Sequence, residues 1–184
     1  MFIQTEPTPN PSTLKFVPGK QVLASGIREF KSADEANSSP LATRLFEVEG
    51  VKGVLFGHDF ISITKGELDW DLLKPAVMGV IMEHFMSGAP VMEGDAQGDN
   101  ANEVFDESDR ETVDTIKQLL EEKVRPAVAR DGGDITFQAY KDGVVYLHMR
   151  GACSGCPSST ATLKNGIENL LKHFLPEIKE VRAA

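Results

Sequence analysis

Cys153 and Cys156 are the only cysteines in this 184-residue chain, set as C-x-x-C within Arg150-Gly151-Ala152-Cys153-Ser154-Gly155-Cys156-Pro157-Ser158-Ser159. That spacing lets one tight turn aim both sulfurs at a single point. The run before the pair is strand-like and the run after it is helix-like, so the loop opens a helix. Pro157 suits a first helical position, because its missing N–H would be unpaired there anyway. Backbone N–H groups at a helix start favour negative charge, and so favour thiolate over thiol. Arg150 adds positive charge nearby. The expectation is a loop that presents two thiolates.

Two thiolates are an incomplete ligand set. A closed tetrahedral zinc site needs four ligands, and a cubane iron–sulfur cluster takes about four thiolates. Either another chain supplies the rest, or the pair works as a dithiol–disulfide couple. A zinc-bridged dimer that only mediates contacts is a third reading. Free cysteines are often plain core residues, but packing gives no reason for this spacing at a helix start. Thioredoxin-like redox motifs share the strand–C-x-x-C–helix context, usually with proline between the cysteines. Here Ser154-Gly155 intervene and Pro157 follows, and cysteine followed by proline also occurs in ferredoxin-type cluster runs.

Composition narrows the partners. A net charge of −9 argues against non-specific nucleic-acid binding. No apolar run is long enough to span a bilayer. Met1-Phe2-Ile3-Gln4-Thr5-Glu6 lacks the basic and apolar segments of a secretory signal, and is not an Arg-rich transit peptide. Two cysteines in C-x-x-C do not make a disulfide scaffold; metal binding or redox chemistry in a thiol-reducing compartment fits better.

The elements that must position the pair read as two small α+β domains. In the first, Phe2–Thr5 and Thr13–Val17 are strand candidates around the proline-rich Pro7–Pro11. Lys31–Ser38 reads as loop. Ser39-Pro40 starts a helix with a cap and a first-turn proline. Val51–Phe56 and Phe60–Thr64 follow as strands around Gly57-His58-Asp59. A helix from Asp69 or Asp71 to Phe85 buries Leu73, Val77, Val80, Ile81 and Phe85, and Pro75 argues for a late start or a kink. The order is ββαββα. Residues 88–106 show no apolar period and read as a flexible acidic linker between domains 1–87 and 107–184.

In the second domain, Ser108 and Glu111 form a capping-box pattern, and Pro126 should end or bend that helix at Arg125. Asp131-Gly132-Gly133-Asp134 reads as a turn. Strands Ile135–Tyr140 and Val144–Met149 flank the Lys141-Asp142-Gly143 hairpin signal. The C-x-x-C loop and a helix to about Phe174 complete αββα, with Leu163, Ile167, Leu170, Leu171 and Phe174 inward. Glu180–Arg182 is a candidate edge strand.

Other reactive side chains carry blander readings. His148 reads as a ligand or, more simply, as a residue that strand alternation places on a solvated face, and His58, His84 and His173 are scattered. Asp131 and Asp134 read as carboxylate ligands or bases, or more simply as turn chemistry around two glycines. Met78, Met82 and Met86 recur at helical spacing and read as core filling, with an adaptable docking face for clients as the alternative. No acid–base or nucleophile constellation beyond the thiols appears, so an enzyme is not expected.

The run Gly151-Ala152-Cys153-Ser154-Gly155-Cys156-Pro157-Ser158-Ser159, with Arg125-Pro126 and Asp131-Gly132-Gly133-Asp134 before it, resembles the C-terminal domain of the NifU/Nfu family of iron–sulfur cluster proteins. Thr8-Pro9-Asn10-Pro11 and Leu14-Lys15-Phe16 resemble the Nfu N-terminal domain. The resemblance implies a 4Fe–4S scaffold or carrier in which Cys153 and Cys156 from each of two chains ligate one shared cluster. It implies a cluster-bridged homodimer, apo iron–sulfur clients and upstream cluster-assembly proteins as partners, and no nucleic acid or membrane. The compartment would be the bacterial cytoplasm, or the mitochondrial matrix for a processed eukaryotic form. The N-terminal domain would select clients or suppliers. Ser154, Ser158 and Ser159 are candidate donors to the sulfurs, with helix-cap duty the simpler role.

Overall fold

The computed structural model describes residues 1–94, 103–155 and 157–184. The chain divides into two compact α+β units, Met1–Asp99 and Asn100–Ala184. Among the described residues no helix is long and apolar enough to cross a membrane.

The first unit is a five-stranded antiparallel sheet of β1 (Gln4–Pro7), β2 (Thr13–Val17), β3 (Arg28–Phe30), β4 (Val51–Phe56) and β5 (Ile61–Lys65), in the order β1-β2-β5-β4-β3. Helices α1 (Pro40–Phe46) and α2 (Trp70–Ser87) complete it. Strand alternation puts Phe16, Ile61 and Phe56 in one core with Leu41, Leu45, Leu73, Val77 and Ile81. The β1–β2 turn is closed by its own side chains: the Asn10 side chain accepts from the Ser12 N–H at 3.0 Å. The Thr8 hydroxyl reaches the Thr13 carbonyl at 2.7 Å. Ser39 caps α1 as expected, accepting from the Ala42 N–H at 3.0 Å with Pro40 in the first turn.

Three features depart from the pattern read in the sequence. Strand β3 was not expected, because three residues, Arg28-Glu29-Phe30, are too few and too polar to show an alternation. Helix α2 starts at Trp70, as its pattern predicts, but carries Pro75 inside it without the late start that the proline suggests. Its inward face includes His84, 1% exposed, while Val80 and Phe85 are only half-buried. Met78 and Met82 pack against the core and Met86 faces out.

The linker expected over residues 88–106 lies in part outside the described residues. Its described ends are packed: Val91 and Met92 lie on the first core, and the Glu93 N–H donates to the Ser38 carbonyl at 2.8 Å. At the other end Val104 bridges to Ala139, and Phe105 meets the Phe137 ring edge-on at 6.2 Å.

The second unit runs α3 (Arg110–Leu119), a π-helical turn Leu120–Val124, α4 (Arg125–Arg130), β6 (Gly133–Lys141), β7 (Val144–Gly151), α5 (Pro157–Phe174) and β8 (Glu180–Ala183). The sheet order is β6-β7-β8, the first pair antiparallel and the second parallel, so α5 is the crossover between β7 and β8. Asp142 and Gly143, with φ of 53° and 81°, make the two-residue β6–β7 turn that twisted strands favour. Ile116, Ile135, Val145, Leu147, Ile167, Leu171 and Val181 form the core.

The capping box at Ser108 is not formed. A 3-10 turn, Glu107–Asp109, absorbs Ser108, and α3 begins at Arg110. Pro126 does not stop the helix at Arg125. The wider π turn takes up the register before α4, and the proline sits at the start of α4 where its missing N–H costs little. Gly133 and Asp134 belong to β6, not to the turn, which leaves Asp131-Gly132 to make the bend. Phe174, expected inward, is 47% exposed beneath the Lys123 ammonium.

His84 generates a test of the first unit. Burial first, then the nearby Arg44 charge, lower its pKa from 6.5, against the opposing carbonyl interactions of Pro90 and Ala89. Below pH 6.5 the unfolded chain therefore binds the proton more readily, and stability is lost as pH falls. Urea unfolding of the first unit's fluorescence should show less decline between neutral and mildly acidic pH in His84→Gln than in the parent. Parallel pH profiles would show that His84 carries no such linkage.

Candidate functional site

The site is built where β6 begins and β7 ends. Gly133 pairs with Gly151, and Asp134 with Arg150. Gly151 has φ of +58° and turns the chain out of β7. The Ala152 N–H donates to the Gly132 carbonyl at 3.3 Å and the Cys153 N–H to the Arg150 carbonyl at 3.2 Å. These bonds fold the loop back over the start of β6. The Cys153 sulfur consequently lies on Gly133: a Cβ added there would stand 2.4 Å from Sγ and 2.9 Å from the Cys153 nitrogen. The two adjacent glycines answer two requirements. Gly132 supplies the positive φ of 77° that the bend needs, and Gly133 supplies room.

Cys153 is 5% exposed and joins the core of the second unit. Burial, then the Asp134 and Asp131 carboxylates, push its thiol up to about 12. The thiolate expected from the helix start is thus not favoured in this conformation. Desolvation and two carboxylates outweigh a helix N-terminus four residues away. Arg150 does not reverse this; it meets the Cys153 N–H through its backbone carbonyl.

Asp134, 2% exposed, is held by Arg125, whose Nε donates to one carboxylate oxygen at 2.9 Å while Nη2 lies 3.4 Å from the other. Arg125 also pairs with Glu121. Burial works against the guanidinium charge, but the Asp134 and Glu121 carboxylates overcome it and raise its pKa. This pair ties α4 to the strand that carries Gly133.

Of the two predicted ligands, the structure places Cys153 on this loop, while Cys156 lies outside the described residues. The side chains of Ser158 and Ser159 also lie outside them. The Ser154 hydroxyl donates to the Gly151 carbonyl at 2.9 Å, a loop bond. His148 pairs with Thr136 and alternates with the buried Leu147 and Met149. Asp131 is exposed at the bend. Among the described residues no three His, Cys, Asp or Glu side chains gather to hold a metal ion. Sequence reading missed Gly133 as the seat of the sulfur, the Arg125–Asp134 pair, and Thr160, whose hydroxyl donates to the Cys153 carbonyl at 3.1 Å. A Gly-Gly doublet at a bend that needs one positive φ was the available signal.

Comparison with known proteins places the chain among its relatives. Residues 3–88 match the family model described as scaffold protein Nfu/NifU N terminal, and residues 116–182 match the NifU-like domain. The Drosophila sechellia protein named NFU1 iron-sulfur cluster scaffold homolog, mitochondrial, is 54% identical over 98% of this chain, which spans 64% of that relative's length. The Homo sapiens protein of the same name is 48% identical over 98% of this chain and 71% of its own. The solution NMR structure of a NifU-like protein from Saccharomyces cerevisiae is 29% identical, with a TM-score of 0.47, covering 52% of this chain and 87% of that one.

Two outcomes follow from the site geometry. Arg125→Leu would leave Asp134 buried without its partner, so urea unfolding of the second unit should show a loss of about 3 kcal/mol, against a small loss if the pair were solvated. In a Cys156→Ser chain, thiolate absorbance in the ultraviolet should stay flat through the ordinary thiol range near 9 and rise only towards 12. A rise centred on the ordinary value would mean that Cys153 is not buried in solution.

Proposed function

The chain belongs to the Nfu/NifU family of iron–sulfur cluster scaffold proteins, and we propose that it carries a 4Fe–4S cluster between two copies of itself and passes it to apo-proteins. Cys153 and Cys156 of each copy are the ligands in this reading. The observation that carries it is the C-x-x-C loop between β7 and α5, with two sulfur donors per chain for a cargo that takes about four. The relatives' names support the cargo class, and they support a mitochondrial compartment over the bacterial cytoplasm.

The chemistry is ligand exchange. On loading, each cysteine gives its proton to solvent as its sulfur bonds an iron. On transfer, a client thiol loses its proton, its thiolate bonds the iron, and the displaced cysteine takes a proton back. No electron moves, and the chain carries rather than converts. A cluster at a junction of subunits, on short loops, is reachable by client thiols one bond at a time. The first unit, in this reading, selects clients or suppliers.

Anaerobic reconstitution with iron and sulfide, followed by mass measurement, tests the proposal. Expected are visible charge-transfer absorption, about four iron and four sulfide per two chains, and loss of all three in Cys153→Ser or Cys156→Ser. A colourless protein that cycles a Cys153–Cys156 disulfide, or a full cubane on a single chain, would overturn it.

A further inference from the structure

We propose that Cys153 is stowed in the unloaded chain, seated on Gly133 and latched by the Thr160 and Ser154 hydroxyls, and that the loop must swing out about Gly151 and Gly155 before the sulfur can take iron. The inference rests on the ligand role given to Cys153 above, but its geometry does not.

Four observations converge. The sulfur lies over the bare backbone of β6, where even a methyl group on residue 133 would stand 2.4 Å from it. The residue is 5% exposed, so no iron shared with another chain can reach Sγ in this position without displacing protein. Two side-chain bonds hold the loop down. Thr160, one turn into α5, donates to the Cys153 carbonyl at 3.1 Å, and Ser154 donates to the Gly151 carbonyl at 2.9 Å. Glycines stand on both sides of the cysteine: Gly151 with φ of +58° and Gly155 with φ of +80°. Backbone rotation at such positions is easy for glycine and strained for other residues, so the segment between them is the part of the site able to move.

The roles separate cleanly. Gly133 is a positioning residue: it touches the sulfur and leaves the chemistry to it. Thr160 is the latch, joining the loop to the helix that follows it. Gly133 opens β6 with a φ that is not positive, so it supplies space and not a turn. The room that its missing side chain leaves is taken by the Cys153 sulfur.

Alkylation of the full-length chain tests the proposal without any cluster. In a Cys156→Ser background, iodoacetamide should modify Cys153 at least about tenfold more slowly than in urea at the same pH, because only an opened loop exposes the sulfur. Thr160→Val in that background should speed the folded chain about fivefold, the effect of losing one hydrogen bond that exists only in the stowed state. Gly133→Ala should bring the rate to within about threefold of the unfolded chain, because the seat is filled. Circular dichroism confirms that each variant is folded. If Gly133→Ala fails to fold, Thr160→Val decides alone. An unchanged rate in folded Thr160→Val, or a parent that already reacts at the unfolded rate, overturns the proposal. A chain that binds no cluster but shows these rates would sink the carrier reading and leave the stowed thiol standing.

Discussion

The contact on which the site depends is the pairing of Gly133 with Gly151 across β6 and β7. Neither residue has a side chain, so the two backbones offer an open seat at the point where β7 ends. The loop that follows can fold back onto β6 only because of it. Any β-carbon at position 133 would displace the sulfur, the Cys153 nitrogen or the Arg150 carbonyl, all within 3.0 Å of where it would stand. The register that brings the glycines together is set at the other end of the hairpin, by the Asp142-Gly143 turn, and adjusted by the irregularity between Phe137 and Ala139.

A charged pair adds to the apolar packing by which the helices hold that strand in place. Arg125 stands at the start of α4, just beyond the π turn, and its guanidinium reaches back to Asp134, the second residue of β6. Pro126 forces the irregularity, since it has no N–H for the preceding turn. A regular helix across this point would leave a carbonyl without its donor. In the wider turn the Arg125 N–H donates to the Leu120 carbonyl, and α4 restarts one residue before the proline. Backbone chemistry at 126 and electrostatics at 125 thus act on the same short segment, and the strand bearing the thiol seat is fixed to it.

Much of this was legible from residue types. Ser39-Pro40 and Asp142-Gly143 mark a helix start and a hairpin because their preferences are local, and both stand where expected. The α+β class and the strand–C-x-x-C–helix order follow from periodicity in the same way. What the sequence hid depends on partners distant along the chain. Arg125 and Asp134 are nine residues apart, and no pattern at either shows that a turn brings them together. Gly133 looked like part of a bend because a second glycine beside it already made the bend plausible. His84 reads as one of several scattered histidines, and its burial beside Arg44, Ala89 and Pro90 rests on partners outside its own helix. The helix-start argument for a thiolate at Cys153 failed because it counted charge and not solvent.

That last failure has a magnitude. Moving the thiol from its ordinary 9.0 to about 12 opposes deprotonation by on the order of 4 kcal/mol. A helix N-terminus offers roughly 0.3–1 kcal/mol to a nearby anion, up to about 2 in favourable geometry, and only within the first turn. The helix start therefore cannot ionise a sulfur that remains on Gly133. It can act only on one that has moved towards solvent, where the burial penalty falls away. A neutral, buried thiol is also slow to oxidise, since oxidation begins from an accessible thiolate. The seat on Gly133 therefore shields the sulfur from oxidants. On the proposed carrier role, a cysteine that stays reduced while empty and ionises when engaged meets both demands if one loop has two positions, and the glycines on either side of Cys153 are placed to allow the second.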